Sequence, residues 1–276
     1  MIERRPRRVL LATDGSPSAD AALDVVCAMS FAPEDRVEIV TVGDAAIAEI
    51  AEIAARAARR LEHCGVTAEI RLATGPVAEA ILETARDVVA DLIVVGSRGR
   101  GLVLGTLLGS TGMALTRLSP LPVLVARARR VAPRRVLLAV DGSPDSQAAA
   151  SAVAMIPIVG DAEIVLLHVV PDTRRDNTRS RELLSLVASR MPPSVSTRIE
   201  IARGDVGDAI LERAEALGSD LIALGSGHPP RAPLRGRTAD RVLGAAQCCV
   251  LVARAAERAK APAPVRAVAA PVSAAG

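Results

Sequence analysis

The chain repeats itself once, and this constrains its fold more than any other feature. RRVLLATDGSP at 7–17 returns as RRVLLAVDGSP at 134–144, ten of eleven positions identical, at an offset of 127. VEIVTV (37–42) answers EIVLLHV (163–169), and ATGPVAEAILETA (73–85) answers ARGDVGDAILERA (202–214). DLIVVGS (91–97) answers DLIALGS (220–226), and PVLVAR (122–127) answers CVLVAR (249–254). The order is the same in both copies, so two homologous domains are expected, at 1–129 and 130–254, with ARARRVAPR (126–134) between them. Residues 255–276 show no amphipathic period and several prolines, and are read as a disordered tail.

Each copy alternates strands with helices. Val9–Ala12, Val37–Val42, Leu92–Val95 and Val123–Val125 are short continuous apolar runs, which suit parallel strands buried on both faces. Between them, Ile47, Ile50, Ala54, Ala57 and Leu61 recur at helical spacing, with Asp44 as expected N-cap and Gly65 as stop. Strand and helix in alternation predict an α/β fold, two tandem doubly wound, Rossmann-like domains. Ligands of such sheets bind beyond the carboxyl ends of the strands, at the topological switch point.

Composition excludes several chemistries. Lys260 is the only lysine and lies in the tail, so neither domain carries a lysine-dependent phosphate loop or a Schiff base. Phe31 is the sole aromatic residue, which removes the stacking platforms of single-strand nucleic-acid binders. The net charge of +3 comes from arginines gathered at junctions (4–8, 127–130 and 134–135), the pattern of a solvated face, so no nucleic-acid partner is expected. Cys27, Cys64, Cys248 and Cys249 form no C-x-x-C pair and have no His at ligand spacing. They are read as reduced thiols, with no metal site. No run approaches the ~20 apolar residues of a membrane span, and MIERRPRRVLL is too short for a signal-peptide core. A soluble, cytoplasmic protein with no membrane contact is expected.

Two motifs point to a ligand. The first, Ala12-Thr13-Asp14-Gly15-Ser16-Pro17, follows strand one. A strand-to-helix turn accounts for Gly15, Ser16 as cap and Pro17 as first helical residue. It leaves Asp14 unassigned, at the end of a buried strand where a carboxylate can accept from a ribose or help hold a divalent ion. The second motif runs from Gly96-Ser97-Arg98-Gly99 to Gly109-Ser110-Thr111 and ends where a helix opens. Glycines let the backbone approach an anion closely, and a helix N-terminus offers free N–H groups and a positive dipole end. Ser110 or Thr111 is alternatively a simple cap. His63 and His168 sit beside apolar stretches and read as structural; no catalytic residue stands out.

At these residues the chain resembles the universal stress proteins, whose signature Gly-x2-Gly-x9-Gly-Ser/Thr fits Gly96, Gly99, Gly109 and Ser110 without a gap. The resemblance spans about residues 1–254 and implies a five-stranded parallel sheet of order 3-2-1-4-5 in each domain. It further implies that Asp14 is the family's strand-one Asp. Val42 is then the residue whose backbone meets adenine, and Gly75-Pro76 the turn after strand three. The implied cofactor is ATP, with magnesium as a companion ion, in a regulator whose nucleotide occupancy tunes association with an unidentified protein partner. Pairing through the last strands is implied too, as an internal pseudo-dimer of the two domains or a homodimer.

The second copy keeps Asp141, Gly142, Val169, Gly204 and Gly225 but departs in its loop, GSGHPPRAPLRGRT. His228 stands in place of Gly99, Gly236 and Arg237 in place of Gly109 and Ser110, and prolines 229, 230 and 233 remove donors. Triphosphate binding is therefore expected in the first domain alone. Two other functions compete: a scaffold of this fold without nucleotide, and an enzyme cleaving ATP between its α and β phosphates. The latter uses a Ser-Gly-Gly-x-Asp-Ser loop where this chain has Asp-Gly-Ser-Pro.

Overall fold

The computed structural model describes residues 6–44, 47–98, 108–127, 133–156, 162–171, 177–227 and 238–255. Gly99, the loop 228–237 and residues 256–276, on which expectations were placed, lie outside the described residues. The first half comprises β1 (Arg8–Ala12), α1 (Pro17–Cys27), β2 (Arg36–Val42), α2 (Ile47–His63), β3 (Ala68–Ala73), α3 (Val77–Asp87), β4 (Leu92–Gly96), α4 (Ser110–Leu118) and β5 (Val123–Ala126). The second comprises β6 (Arg135–Ala139), α5 (Pro144–Met155), β7 (Glu163–Val170), α6 (Thr178–Ala188), β8 (Ser196–Arg203), α7 (Val206–Leu217), β9 (Leu221–Gly225), α8 (Thr238–Ala245) and β10 (Cys249–Ala253).

All ten strands form one sheet, ordered β3-β2-β1-β4-β5-β10-β9-β6-β7-β8. Each half is thus a parallel 3-2-1-4-5 sheet, as the resemblance implied. Central strands are buried on both faces because helices cover both. On one face Leu11, Ile39, Val94 and Leu124 pack with Ala22, Val25, Ala54 and Leu61 of α1 and α2. On the other Leu10, Val40, Ile93 and Val123 pack with Ile81 of α3 and Leu115 of α4.

The halves meet through an antiparallel pair, Leu124 opposite Leu251 and Val125 opposite Val250, so the last strands join within one chain. Each half also sends an arginine across. Arg127, following β5 and only 7% exposed, donates from Nη1 to the Ala246 carbonyl at 2.6 Å and from Nη2 to the Leu243 carbonyl. These carbonyls end α8, where unpaired acceptors and the negative dipole end favour a cation. Arg254, its repeat equivalent, donates to the Arg117 carbonyl in the last turn of α4 at 2.9 Å. The exposed outer strands carry charge where an edge would otherwise recruit another strand: Arg71 of β3 pairs with Glu38 and Glu69, and Arg198 with Glu200 of β8.

The expected turn after strand one is present twice. Ser16 caps α1 by accepting from Ala19 N–H at 3.2 Å, and Ser143 caps α5 by accepting from Ser146 N–H at 3.1 Å. Other expectations need correction. Ile47 is 71% exposed, and Ile53 completes the buried face of α2. Asp44, the expected cap of α2, is separated from Ile47 by two residues outside the described ones; it accepts the Gly75 N–H at 3.2 Å, tying the end of β2 to the turn after β3. The four cysteines are not all reduced thiols. Cys27 and Cys64 form a disulfide, because α1 and α2 end side by side and bring their Cα atoms to 5.5 Å.

Val89 lies just past α3 with φ of 51°, the left-handed region. A β-branched residue is strained there, by roughly 1–2 kcal/mol. The second copy has Gly218 at the aligned position, φ 59°. Val89 is 56% exposed, so little packing opposes its replacement. Val89→Gly should therefore stabilise the protein by about 0.5–1 kcal/mol, after the larger unfolded-state entropy of glycine is subtracted. Gly218→Val should destabilise by more, since its Cβ would also meet Arg135 Nη1 at 3.1 Å. Denaturant titration of both variants checks the pair; a loss of stability in Val89→Gly overturns the assignment of strain.

Candidate functional site

The chain leaves β1 toward β2 on one side and reaches β4 on the other, so the loops after β1 and β4 diverge and leave a crevice. A cavity of about 310 Å³ opens there. One wall is apolar: Val40 and Val42, which share a face of β2, Val95 of β4, and Val77 and Ile81, one helical turn apart on α3. The other wall is polar and made of backbone: Thr13 and Asp14, Gly96 to Arg98, and Gly109 to Gly112 at the start of α4.

Local hydrogen bonds hold this wall. Thr13 N–H donates to the Val40 carbonyl at 3.0 Å, so the turn after β1 continues the ladder with β2. Asp14 Oδ1 accepts from Ser16 N–H at 3.0 Å, and Thr13 Oγ1 from Gly15 N–H at 3.2 Å. The carboxylate that the sequence left unassigned thus helps fold its own turn. Gly109 N–H donates to the Ser97 carbonyl at 2.7 Å and pins together the two ends of the glycine-rich loop. Gly109 is also the N-cap of α4, without a side-chain cap bond. The first-turn amides of α4 therefore face the cavity with no side-chain oxygen supplied by the cap, an arrangement that attracts an anion.

Of the residues singled out in the first domain, Ala12, Thr13, Asp14, Val42, Gly96, Ser97, Arg98, Gly109, Ser110 and Thr111 line this cavity together. Gly15, Ser16 and Gly75 are not among its lining residues. Gly15 takes φ of +73° and Ser16 caps α1, so both shape the turn from behind. Gly75 is held by Asp44. Gly96 has a packing reason of its own: a Cβ there would lie 2.4 Å from the Ser18 carbonyl oxygen, so glycine is what lets α1 approach β4. Gly225 repeats this against Asp145. Sequence reasoning missed Ala19, Val40, Val77, Ile81, Val95 and Gly112. The two-residue spacing of Val40 with Val42 and the four-residue spacing of Val77 with Ile81 were the available signals.

The second domain closes the same ground differently. Asp145, aligned with Ser18, accepts from Ser226 Oγ at 2.6 Å, Gly227 N–H at 3.0 Å and Ala255 N–H at 2.9 Å. An internal carboxylate thus occupies donors whose counterparts, at Ser97 and Arg98, border the cavity of the first domain. Asp141 accepts from Ser143 N–H at 2.9 Å, the equivalent of the Asp14 turn. Burial pushes its carboxyl pKa up, but hydrogen bonds from Ser143 and Ser146 outweigh this and leave it below the ordinary value. Val169 is the next-to-last residue of β7, where its counterpart Val42 is the last of β2, and its neighbour His168 holds the Val140 carbonyl at 2.5 Å through Nδ1. His63 Nδ1 lies 2.6 Å from the Arg59 carbonyl within its own helix. Both histidines make the structural contacts expected of them.

A larger cavity, about 690 Å³, lies where the C-terminal ends of α7 and α8 meet the start of β10. Helix C-termini present carbonyls, the wrong polarity for phosphate, and its cation Arg127 is spent on those carbonyls. The smaller cavity is the better candidate. Among the described residues no group of three or more His, Cys, Asp or Glu side chains converges to hold a metal ion, and no helix is long and apolar enough to cross a membrane.

Comparison with known proteins agrees with this architecture. The model of the Universal stress protein family matches twice, at residues 6–127 and 133–254. Universal stress protein Slr1230 of Synechocystis sp. (strain ATCC 27184 / PCC 6803 / Kazusa) is 32% identical over 125 residues, which is 44% of this chain and 42% of that relative. The match thus spans less than half of the relative's length. The crystal structure of a universal stress protein from Archaeoglobus fulgidus DSM 4304 superposes with a TM-score of 0.72 at 21% identity, covering 91% of this chain and 99% of that one. A universal stress protein in complex with cAMP is 34% identical over 44% of this chain and 96% of its own, TM-score 0.38. Two family matches, one for each copy of the repeat, cover nearly all of the described residues: the chain belongs to the universal stress protein family, with two such domains in tandem.

Proposed function

We propose that the first domain binds ATP, with magnesium accompanying the phosphates, and that the protein acts as a stress-response regulator through nucleotide-dependent association with a protein partner. The observation that carries this reading is the pairing of an apolar slot, Val40, Val42, Val77 and Ile81, with the N-terminal amides of α4 across one cavity. A base suits the slot, phosphates suit the amides, and Asp14 and Arg98 line the same cavity. The second domain, with Asp141, Val169 and Gly225 retained but the Ser226 and Gly227 donors taken by Asp145, serves as packing partner in the internal pseudo-dimer. The reading is non-enzymatic: among the described residues the polar side chains lining the cavity are Thr13, Asp14, Ser97, Arg98, Ser110 and Thr111, with no His or Cys to activate a nucleophile. Cytoplasmic residence goes with it.

Calorimetry should find one tight ATP site per chain, dependent on a divalent ion, with little phosphate release. Asp14→Ala should remove that site, while Asp141→Ala leaves it. Cyclic AMP, the ligand of the structure named above, enters as a competitor. Two equivalent sites would overturn the assignment of the second domain, and rapid multiple turnover would overturn the non-enzymatic reading.

Gly109→Val should weaken ATP binding a hundredfold or more, as loss of two hydrogen bonds to a charged phosphate, on the order of 3–6 kcal/mol, implies. Its φ of −73° is open to any residue, so the variant should unfold at nearly the same temperature as the parent without ligand. A parallel loss of stability and binding would make Gly109 structural instead.

A further inference from the structure

The four cysteines fall into two unlike pairs. Cys248 and Cys249 are unbonded thiols at the start of β10, the latter buried. Burial pushes the Cys248 thiol up to about 11 and raises Cys249 as well, so both stay protonated and sheltered near neutral pH. Cys27 and Cys64 are bonded to each other, and Cys64 is exposed while Cys27 is partly covered.

Their place in the fold is specific. Cys27 is the last residue of α1, and Cys64 directly follows α2. The same two helices are held together by Arg60, which bridges to Asp20 at 3.3 Å and to Asp24. Arg56 of α2 donates to the Gly15 carbonyl at 3.1 Å, at the turn that carries Asp14. The disulfide closes a stretch of 37 residues that contains β2 and all of α2. The residue aligned with Cys27 in the second copy is Ala154, so the clasp belongs to the first domain alone.

We propose that Cys27–Cys64 is a reversible thiol-exchange site, in which a small-molecule thiolate attacks Sγ of the exposed residue Cys64 and releases the α1–α2 clasp. In the first step the external sulfur bonds to Cys64, the S–S bond breaks, and Cys27 leaves as a thiolate that takes a proton from water. In the second, another external thiolate attacks the sulfur of the small molecule in the mixed disulfide. This releases Cys64, which is protonated in turn, and forms the external disulfide. One protein disulfide and two external thiols thus become one protein dithiol and one external disulfide; oxidised glutathione reverses the exchange.

Both cysteines sit at helix C-termini, where the negative dipole end stabilises neither thiolate. Cys27 stays beside the mixed disulfide at Cys64 and competes with the second external thiolate, so an excess of external thiol, or a dithiol, drives reduction to completion. Opening the clasp returns chain entropy to the closed loop, and the loss falls on the first domain, the one with the open cavity.

The test uses the full chain in its native state, treated with dithiothreitol, quenched with iodoacetamide and analysed by peptide mass spectrometry. Protein held in oxidised glutathione should carry no label at Cys27 or Cys64. After dithiothreitol both should be labelled, with Cys248 and Cys249 unlabelled until denaturant is added. The midpoint of the first thermal transition should fall by roughly 10 °C on reduction and recover on reoxidation. The variant Cys27→Ala with Cys64→Ala should show the lower midpoint at the outset and no further fall with dithiothreitol. Labelling of Cys27 and Cys64 in the oxidised buffer, labelling of Cys248 and Cys249 as fast as of the other two, or one midpoint in both redox states would each overturn the proposal.

Discussion

Everything in this molecule hangs on the ladder between β5 and β10. Two five-stranded sheets that would otherwise each end in an open strand instead end in each other. The ladder is short, with Val123 to Val125 facing Val250 to Val252, so backbone bonds alone make a small joint. The crossed arginines enlarge it. Arg127 ends a helix of the second half and Arg254 a helix of the first, so each half supplies a cation to the carbonyl end of the other half's last helix. Arg7 adds a third tie, gripping buried Asp35 at 2.7 Å while donating to the Met155 carbonyl of the second half at 2.9 Å. Buried guanidinium groups are costly unless their donors are used; Arg127 places both Nη donors on carbonyls of the partner half, whereas its Nε and the Nε and Nη1 of Arg254 find no partner among the described residues.

Repetition made the fold legible. Once 7–17 and 134–144 are seen to be the same segment, strands, helices and order follow from apolar runs and Ser-Pro caps, and the sheet order from the family resemblance. The cavity was nearly as legible, since glycines and the strand-one Asp are local motifs and their neighbours on β2 and α3 follow by periodicity. What escaped was long-range or conformational. Cys27 and Cys64 are 37 residues apart, with no spacing rule to connect them. Val89 gives no sign in the sequence that its backbone is left-handed; only Gly218 in the other copy hints at it. Ile47 fits the helical period but lies at the first residue of α2, where the helix has not yet reached the sheet. Gly96 was read as a ligand residue, and its closest demand proved to be the passage of α1 over β4.

The two copies also show how little separates an open crevice from a closed one. Ser18 and Asp145 are aligned, at the same turn of the same helix. The first domain has a serine there, whereas the aspartate of the second reaches across and gathers Ser226, Gly227 and Ala255 around one carboxylate. A charged group satisfied internally in this way has strong hydrogen bonds to lose before any outside anion can replace it.

Antiparallel joining has a geometric corollary. Because every strand of one half runs against every strand of the other, the carboxyl-end rims of the two sheets look in opposite directions. The crevice beside Asp14 and the rim beside Asp141 open at opposite poles of the slab. A side chain altered at one pole reaches the other only through the shared ladder and the arginines that cross beside it. Duplication therefore produced two mouths free to diverge separately, and the prolines that crowd one loop impose nothing on the glycines of its twin.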